Sequence, residues 1–279
     1  MMRSLVTSEW LASELGAPDL TVLDASWHMP NVNRDARAEY EERHIPSARF
    51  FDIDAISDRD AGTPHMLPNA EQFACAMGDL GVGSSDRIVV YDHSDLRTSA
   101  RAWFMLRHFG ARHVTILDGG FARWLGDGRP VERGYPPARE VRFDAVARAG
   151  QVVRKEEIER GASVPILDAR SRARFEGIEK DPRPGVAPGH MPGARNISYA
   201  SVYREDGTFR SPDELQALFR DAGADIGQPF IASCGSGVTA NSLIFAAHLA
   251  GNDRTRLYDG SWSDWGSDPD TPKELGPTV

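Results

Sequence analysis

Cys234 opens the run CysGlySerGlyValThr, residues 234 to 239, between the apolar stretch PheIleAlaSer and the segment AlaAsnSerLeuIlePheAlaAlaHisLeuAla that begins at Ala240. The stretch before it reads as a buried strand, the run itself as a loop of small residues, and the segment after it as a helix. A cysteine at such a corner faces unpaired backbone N–H groups and the positive end of the helix macrodipole, which favours a thiolate or persulfide anion. The thiolate is the reactive form, so Cys234 is a candidate nucleophile. Gly235 and Gly237 allow the loop to curl with successive N–H groups facing inward as an anion nest, and Ser236 and Thr239 add hydroxyls.

Other readings of the same residues stay open. A free cysteine beside a tight turn is often only core. GlySerGlyValThrAla at 235 to 240 also fits the dinucleotide pattern G-x-G-x-x-G/A, with Asp259 ending the next strand, but only 39 residues follow it, too few for the half-fold that this pattern begins. A cysteine phosphatase cradles its oxyanion in a similar loop, yet it places an arginine six residues after the cysteine to clamp phosphate, and that position is Ala240. Cys75 sits in GluGlnPheAlaCysAlaMetGlyAspLeu, a helical stretch without a glycine loop, and reads as a core residue.

The elements that must position the Cys234 loop are written twice in the chain. LeuAspAla at 23 to 25 recurs at 167 to 169, HisIlePro at 44 to 46 recurs as HisMetPro at 190 to 192, and AspGly at 118 to 119 recurs at 259 to 260. The offsets agree, 144 from Asp24 to Asp168, 146 from His44 to His190 and 141 from Trp124 to Trp265. In each copy, Val-, Ile- and Leu-rich runs (TVLDA, RIVVYD, VTILDG; then PILDA, PFIAS, RLYDG) alternate with segments of helical period. That order predicts an α/β fold of two tandem domains, each a parallel sheet covered by helices on both faces. The expected boundaries are a first domain over 1–138, a linker over 139–150 and a second domain over 151–279, with a loosely ordered, proline-containing tail from about Ser267.

The copies differ where it matters. The first-copy counterpart of Cys234 is Asp92, in TyrAspHisSerAsp, where a carboxylate would repel an anionic substrate. The first domain is therefore expected to carry no sulfur. His44 and His190 occur in both copies and are expected to fix a turn rather than do chemistry.

Composition narrows the classes further. Of the 279 residues 41% are hydrophobic and 26% charged, the balance of a globular protein. A net charge of -9 and the lack of a basic stripe argue against a nucleic-acid partner. No apolar run is long enough to span a bilayer and the N-terminal segment has no apolar signal region, so no membrane partner and a cytoplasmic location are expected. Two cysteines are too few for a cysteine-based zinc site and no histidine pair has metal spacing, so neither metal nor cofactor is expected.

The doubled layout, the YEERHIPSARFFD run at 40 to 52, and CysGlySerGlyValThrAla followed by TyrAspGlySerTrp resemble the rhodanese superfamily, over nearly the whole chain. Within it they resemble the branch that acts on 3-mercaptopyruvate. Thiosulfate-type members typically carry basic residues just after the cysteine, whereas Gly235, Ser236 and Gly237 stand here, which suits one carboxylate better than a dianion. The resemblance implies sulfur transfer through a Cys234 persulfide to a thiol, thioredoxin or cyanide, with pyruvate released. It implies that Arg174 and Arg183 hold the substrate, with Gly235, Gly237, Val238 and Thr239 lining the cradle. It also implies a proton relay through Ser236, His65 of HisMetLeuPro and Asp54 of PheAspIleAsp. Thiosulfate:cyanide transfer, and a persulfide carrier or sensor without turnover, remain the alternatives. One position departs from the superfamily pattern: Ser47 stands where a glycine is common.

Overall fold

The computed structural model describes residues 3–137 and 139–278; Ala138, at the expected end of the first domain, lies outside the described residues. The chain forms two compact units. One comprises Met1–Ser57, Leu67–Arg148 and Arg204–Phe209, the other Asp58–Met66, Ala149–Tyr203 and Arg210–Val279. Each unit therefore includes a short segment from the opposite half of the sequence.

In the first unit β1 (Leu5–Val6), β2 (Leu20–Asp24), β3 (Arg49–Phe50), β4 (Arg87–Tyr91) and β5 (His113–Leu117) form a parallel sheet of order β1-β5-β4-β2-β3. In the second, β6 (Val152–Val153), β7 (Ile166–Asp168), β8 (Arg195–Asn196), β9 (Ile231–Ser233) and β10 (Arg256–Tyr258) repeat it as β6-β10-β9-β7-β8. The central strands are the six apolar runs of the sequence. Ile88 to Tyr91 and Ile231 to Ser233 are buried on both faces, which is why these runs read as continuously apolar rather than alternating. The two-residue edge strands are too short to leave a period.

Both cores close in the same way. Trp124 donates its indole N–H to the Pro130 carbonyl at 2.7 Å, and Trp265 donates to Pro272 at 2.8 Å. His44 pairs with Glu132 and His190 with Glu274 in isolated antiparallel bridges. His44 stacks on Tyr40 and His190 on Phe175, with centroids 4.2 and 3.7 Å apart, and each Nδ1 bonds a backbone carbonyl. Their role in both units is to hold a turn. Ser47 has φ 63° and its counterpart Gly193 has φ 72°, so the superfamily glycine answers to a left-handed turn that Ser47 also adopts, its N–H held by Glu132 at 2.6 Å.

Two expectations are corrected. The tail from Ser267 is tied down: besides Pro272 and Glu274, the N–H of Gly276 bonds the Glu176 carbonyl and the Thr278 hydroxyl bonds that of Ala194. It is the second copy of the segment that closes the first unit after Trp124. Cys75 is exposed, because Phe73 and Met77, four residues apart, take the buried face of helix Ala70–Asp79 and Cys75 falls on the far side. Along the expected linker, Arg139 pairs with Asp86 at 2.6 Å, Phe143 packs edge-on against Phe73, and the N–H groups of Val146 and Arg148 bond the carbonyls of Phe109 and His108. Among the described residues no helix is long and apolar enough to cross a membrane.

Candidate active site

Cys234 follows β9 directly and precedes helix Ala240–Leu249. It is 1% exposed. That helix is buried from Ala240 to Ala247, as expected of a segment apolar all round, so its N-terminal end is anchored beneath the loop. Backbone bonds hold the loop from outside: Cys234 N–H donates to the Ser261 hydroxyl at 3.0 Å, and the carbonyls of Cys234 and Gly235 accept from the N–H groups of Trp262 and Ser263 at 3.0 and 2.8 Å. The Ser263 hydroxyl also donates to the Gly235 carbonyl, at 2.6 Å. Inside the loop the Asn241 amide donates to the carbonyls of Gly237 and Val238 at 2.6 and 2.9 Å. These bonds engage the carbonyls of Cys234, Gly235, Gly237 and Val238.

The two glycines serve different needs. Gly237 has φ +75°, and a Cβ there would lie 2.5 Å from the Asp259 carbonyl oxygen, so both conformation and space require glycine. Gly235 has an ordinary φ. A Cβ at Gly235 would instead lie 3.2 Å from Arg183 Nη1 and 3.3 Å from Arg174 Nη2. Both guanidinium groups thus pack against the residue next to the cysteine, where a larger side chain would displace them.

Ser236 is the junction of the polar groups. Its hydroxyl is 2.8 Å from His65 Nδ1 and accepts from Arg183 Nη2 at 3.0 Å. With Arg183 donating, the hydroxyl keeps its proton and a second lone pair for His65, so Nδ1 accepts or donates according to the imidazole tautomer. His65 belongs to Asp58–Met66, the early segment that packs with the second unit. It is buried and has φ 63°, an uncommon conformation for a non-glycine residue and one that surrounding contacts must hold. Val238 is buried, and Thr239 is the residue before the helix, partly exposed and with no side-chain cap bond. Asp54 lies in the first unit on helix Ile53–Ile56, exposed, where its carboxylate accepts the Trp27 indole N–H at 2.8 Å.

Asp181 and Ser261 were missed from sequence. The Asp181 carboxylate is 1% exposed and bonds both arginines: Arg174 Nη2 on one oxygen, and on the other Arg183 Nη1 at 3.4 Å and the Arg183 N–H at 3.0 Å. Its only signal in the sequence is its place between the two arginines. Ser261 has φ 51° where the equivalent first-unit residue is Gly120, φ 58°. The serine keeps a conformation better suited to glycine while its hydroxyl accepts from Cys234 and donates to the Tyr258 carbonyl at 2.8 Å.

The first unit has the same corner without the thiol. There the Asp92 carboxylate accepts from the N–H groups of Ser94 and Ser99 at 3.0 and 2.9 Å. The anion site before helix Ser99–His108 is filled by a side chain of the chain itself.

A family model described as Rhodanese-like domain matches twice, over residues 7–127 and 153–268. The 3-mercaptopyruvate sulfurtransferase of Homo sapiens is 42% identical over 274 residues, covering 95% of this chain and 92% of that protein. The thiosulfate sulfurtransferase of Rattus norvegicus is 38% identical over 275 residues, covering 95% and 92%. The crystal structure of SseA from Escherichia coli, described with the rhodanese fold and catalytic mechanism of 3-mercaptopyruvate sulfotransferases, superposes with a TM-score of 0.85 at 38% identity, covering 94% of this chain and 99% of that one. A doubled match of this extent, on two sheets of one strand order, means that this chain belongs to the rhodanese family, with two rhodanese-like domains in tandem.

Proposed function

We propose that this protein is a sulfurtransferase that takes the sulfur of 3-mercaptopyruvate onto Cys234, releases pyruvate, and passes the sulfur to a thiol. The observation that carries the reading is the placing of two guanidinium groups within about one atom's width of Gly235, beside a cysteine at the head of a buried helix. The Cys234 thiolate attacks the donor sulfur, a sulfur–sulfur bond forms, and the carbon–sulfur bond breaks with its electron pair left on carbon as the enolate of pyruvate. Arg174 and Arg183 orient the donor carboxylate and ketone oxygen and stabilise charge as the enolate develops. The enolate carbon needs a proton, and the Ser236 hydroxyl, bonded to His65, is the proposed relay. Asp54 is assigned as its orienting carboxylate on its motif. An acceptor then attacks the outer sulfur of the persulfide and restores Cys234; a thiol such as thioredoxin, or cyanide, is proposed for that role.

The domain assignment follows: 1–138 as the domain without the cysteine, 139–150 as linker and 151–279 as the catalytic domain, with Gly235, Gly237, Val238 and Thr239 lining the cradle. We place the protein in the cytoplasm, on the lack of an apolar signal region in the N-terminal segment.

The test pairs turnover with mass. With 3-mercaptopyruvate and a thiol acceptor, the native chain should release pyruvate and, without acceptor, gain one sulfur atom on the peptide containing Cys234. Cys234→Ser should do neither while unfolding at the same urea concentration as the native chain. Pyruvate release by that variant, or sulfur found elsewhere, rejects the mechanism, and a persulfide that no thiol discharges favours a carrier.

A further inference from the structure

The two substrate arginines are not alone in their pocket. Arg174 Nη2 and Arg183 Nη1 both turn to the Asp181 carboxylate, which is closed off from solvent, and the Arg183 main-chain N–H also bonds it. The guanidinium groups themselves stay partly open, at 19% and 23% exposed, and both border Gly235. The cradle beside Cys234 therefore contains two positive charges and one negative charge.

We propose that Asp181 sets the sulfur-donor preference, by lowering the charge of the arginine pair from two to one so that a singly charged donor balances it and a doubly charged donor does not. This rests on the sulfurtransferase reading above and deepens it. The arginines bind any carboxylate or sulfonate-like group through their forks, so they confer affinity without distinguishing charge. Discrimination has to come from the groups around them. A buried carboxylate is poorly screened by salt, whereas a surface acid would be averaged away over one Debye length. 3-Mercaptopyruvate brings one carboxylate, and thiosulfate is a dianion. Asp181 repels both, but it repels the second charge of thiosulfate as well, and that difference separates the donors further than the loop without basic residues at 235 to 237 does alone. Asp181 touches the arginines and not the reacting atoms, so it is a specificity-positioning residue.

The experiment measures kcat/KM for both donors, with cyanide as common acceptor, on the native chain, Asp181→Asn and Asp181→Glu. Asparagine retains an oxygen that can accept from the Arg183 N–H but removes the charge; glutamate retains the charge and shifts its position. The thiosulfate to 3-mercaptopyruvate ratio should rise by about tenfold or more in Asp181→Asn, the order expected for one unit charge at a few ångströms in a partly screened site. It should stay within about threefold of native in Asp181→Glu, a difference of under 1 kcal/mol by the tenfold-per-1.4 rule. Because each ratio is taken on one preparation, a lower folded fraction cancels. Loss of both donors in proportion, or an Asp181→Asn ratio equal to native, overturns this inference. A native chain that moves sulfur from neither donor defeats the functional reading itself, and that arm is scored first.

Discussion

Glycine at 235 leaves space for two guanidinium groups, and the space is the function of the residue. Gly237, two positions on, is required instead by its backbone, so the two glycines of the loop answer to separate constraints that the letters alone do not distinguish. The first unit offers the clearest residue-scale test of burial. Asp24 ends β2, fully enclosed, and burial pushes its carboxyl up to about 6 from 3.8, against the N–H and hydroxyl of Ser26 at 2.9 and 2.5 Å, which act in the opposite direction. Between these values the unfolded chain has released the proton and the folded chain has not. The stabilising contribution of neutral Asp24 is therefore complete at pH below the unfolded value and is lost as pH rises through about 6. Asp24→Asn stays neutral throughout. Its stability relative to native should climb by up to about 3 kcal/mol between pH 4 and 8 in urea titrations, and a difference independent of pH would show that Asp24 ionises in the fold as freely as in the unfolded chain.

The elements of the second unit depend on a segment with no regular structure. The tail after Trp265 contributes the acceptor for that indole, the antiparallel partner of His190 and the bond from Gly276 to Glu176. Ending the chain after Thr271 should cost about 2 to 4 kcal/mol, from a few hydrogen bonds near 1 kcal/mol each and partial exposure of Trp265. The measurement is the urea midpoint followed by tryptophan fluorescence. An unchanged midpoint would mean that the tail merely rests on the unit. The parallel sheet predicted by the βα alternation is present in each unit, and the edge strands that were not legible are those of two residues, where no period can show.

For the whole molecule, the chain is not divided at one point. The first unit takes Arg204–Phe209 from the late half, where the Phe209 N–H bonds Asp118 at 2.9 Å, and the second takes Asp58–Met66, with His65 on Ser236. Neither unit is complete without a segment covalently held by the other half. Unfolding should therefore be a single cooperative transition, with calorimetric and van't Hoff enthalpies equal. Two resolved transitions would show that the borrowed segments detach at little cost. The net charge of -9 belongs to this scale as well: the overall field repels anionic donors, so the proposed function requires a local positive pair, for which Arg174 and Arg183 are proposed.

By itself the sequence determined the doubling, the six central strands and the loop of small residues after Cys234, because each is written in contiguous residues whose apolar period or small size is its own signal. It also distinguished the two copies at that corner, Cys234 against Asp92. Only the tertiary structure decided that His65 packs with the second unit, that Asp181 lies between the two arginines, that Ser261 holds the cysteine N–H, that Cys75 faces outward and that the tail is fastened. Apart from Asp181, whose arginines are two and seven residues away, each of those is a contact between residues distant in the chain or a choice of helix face, set by which surfaces meet when the cores close.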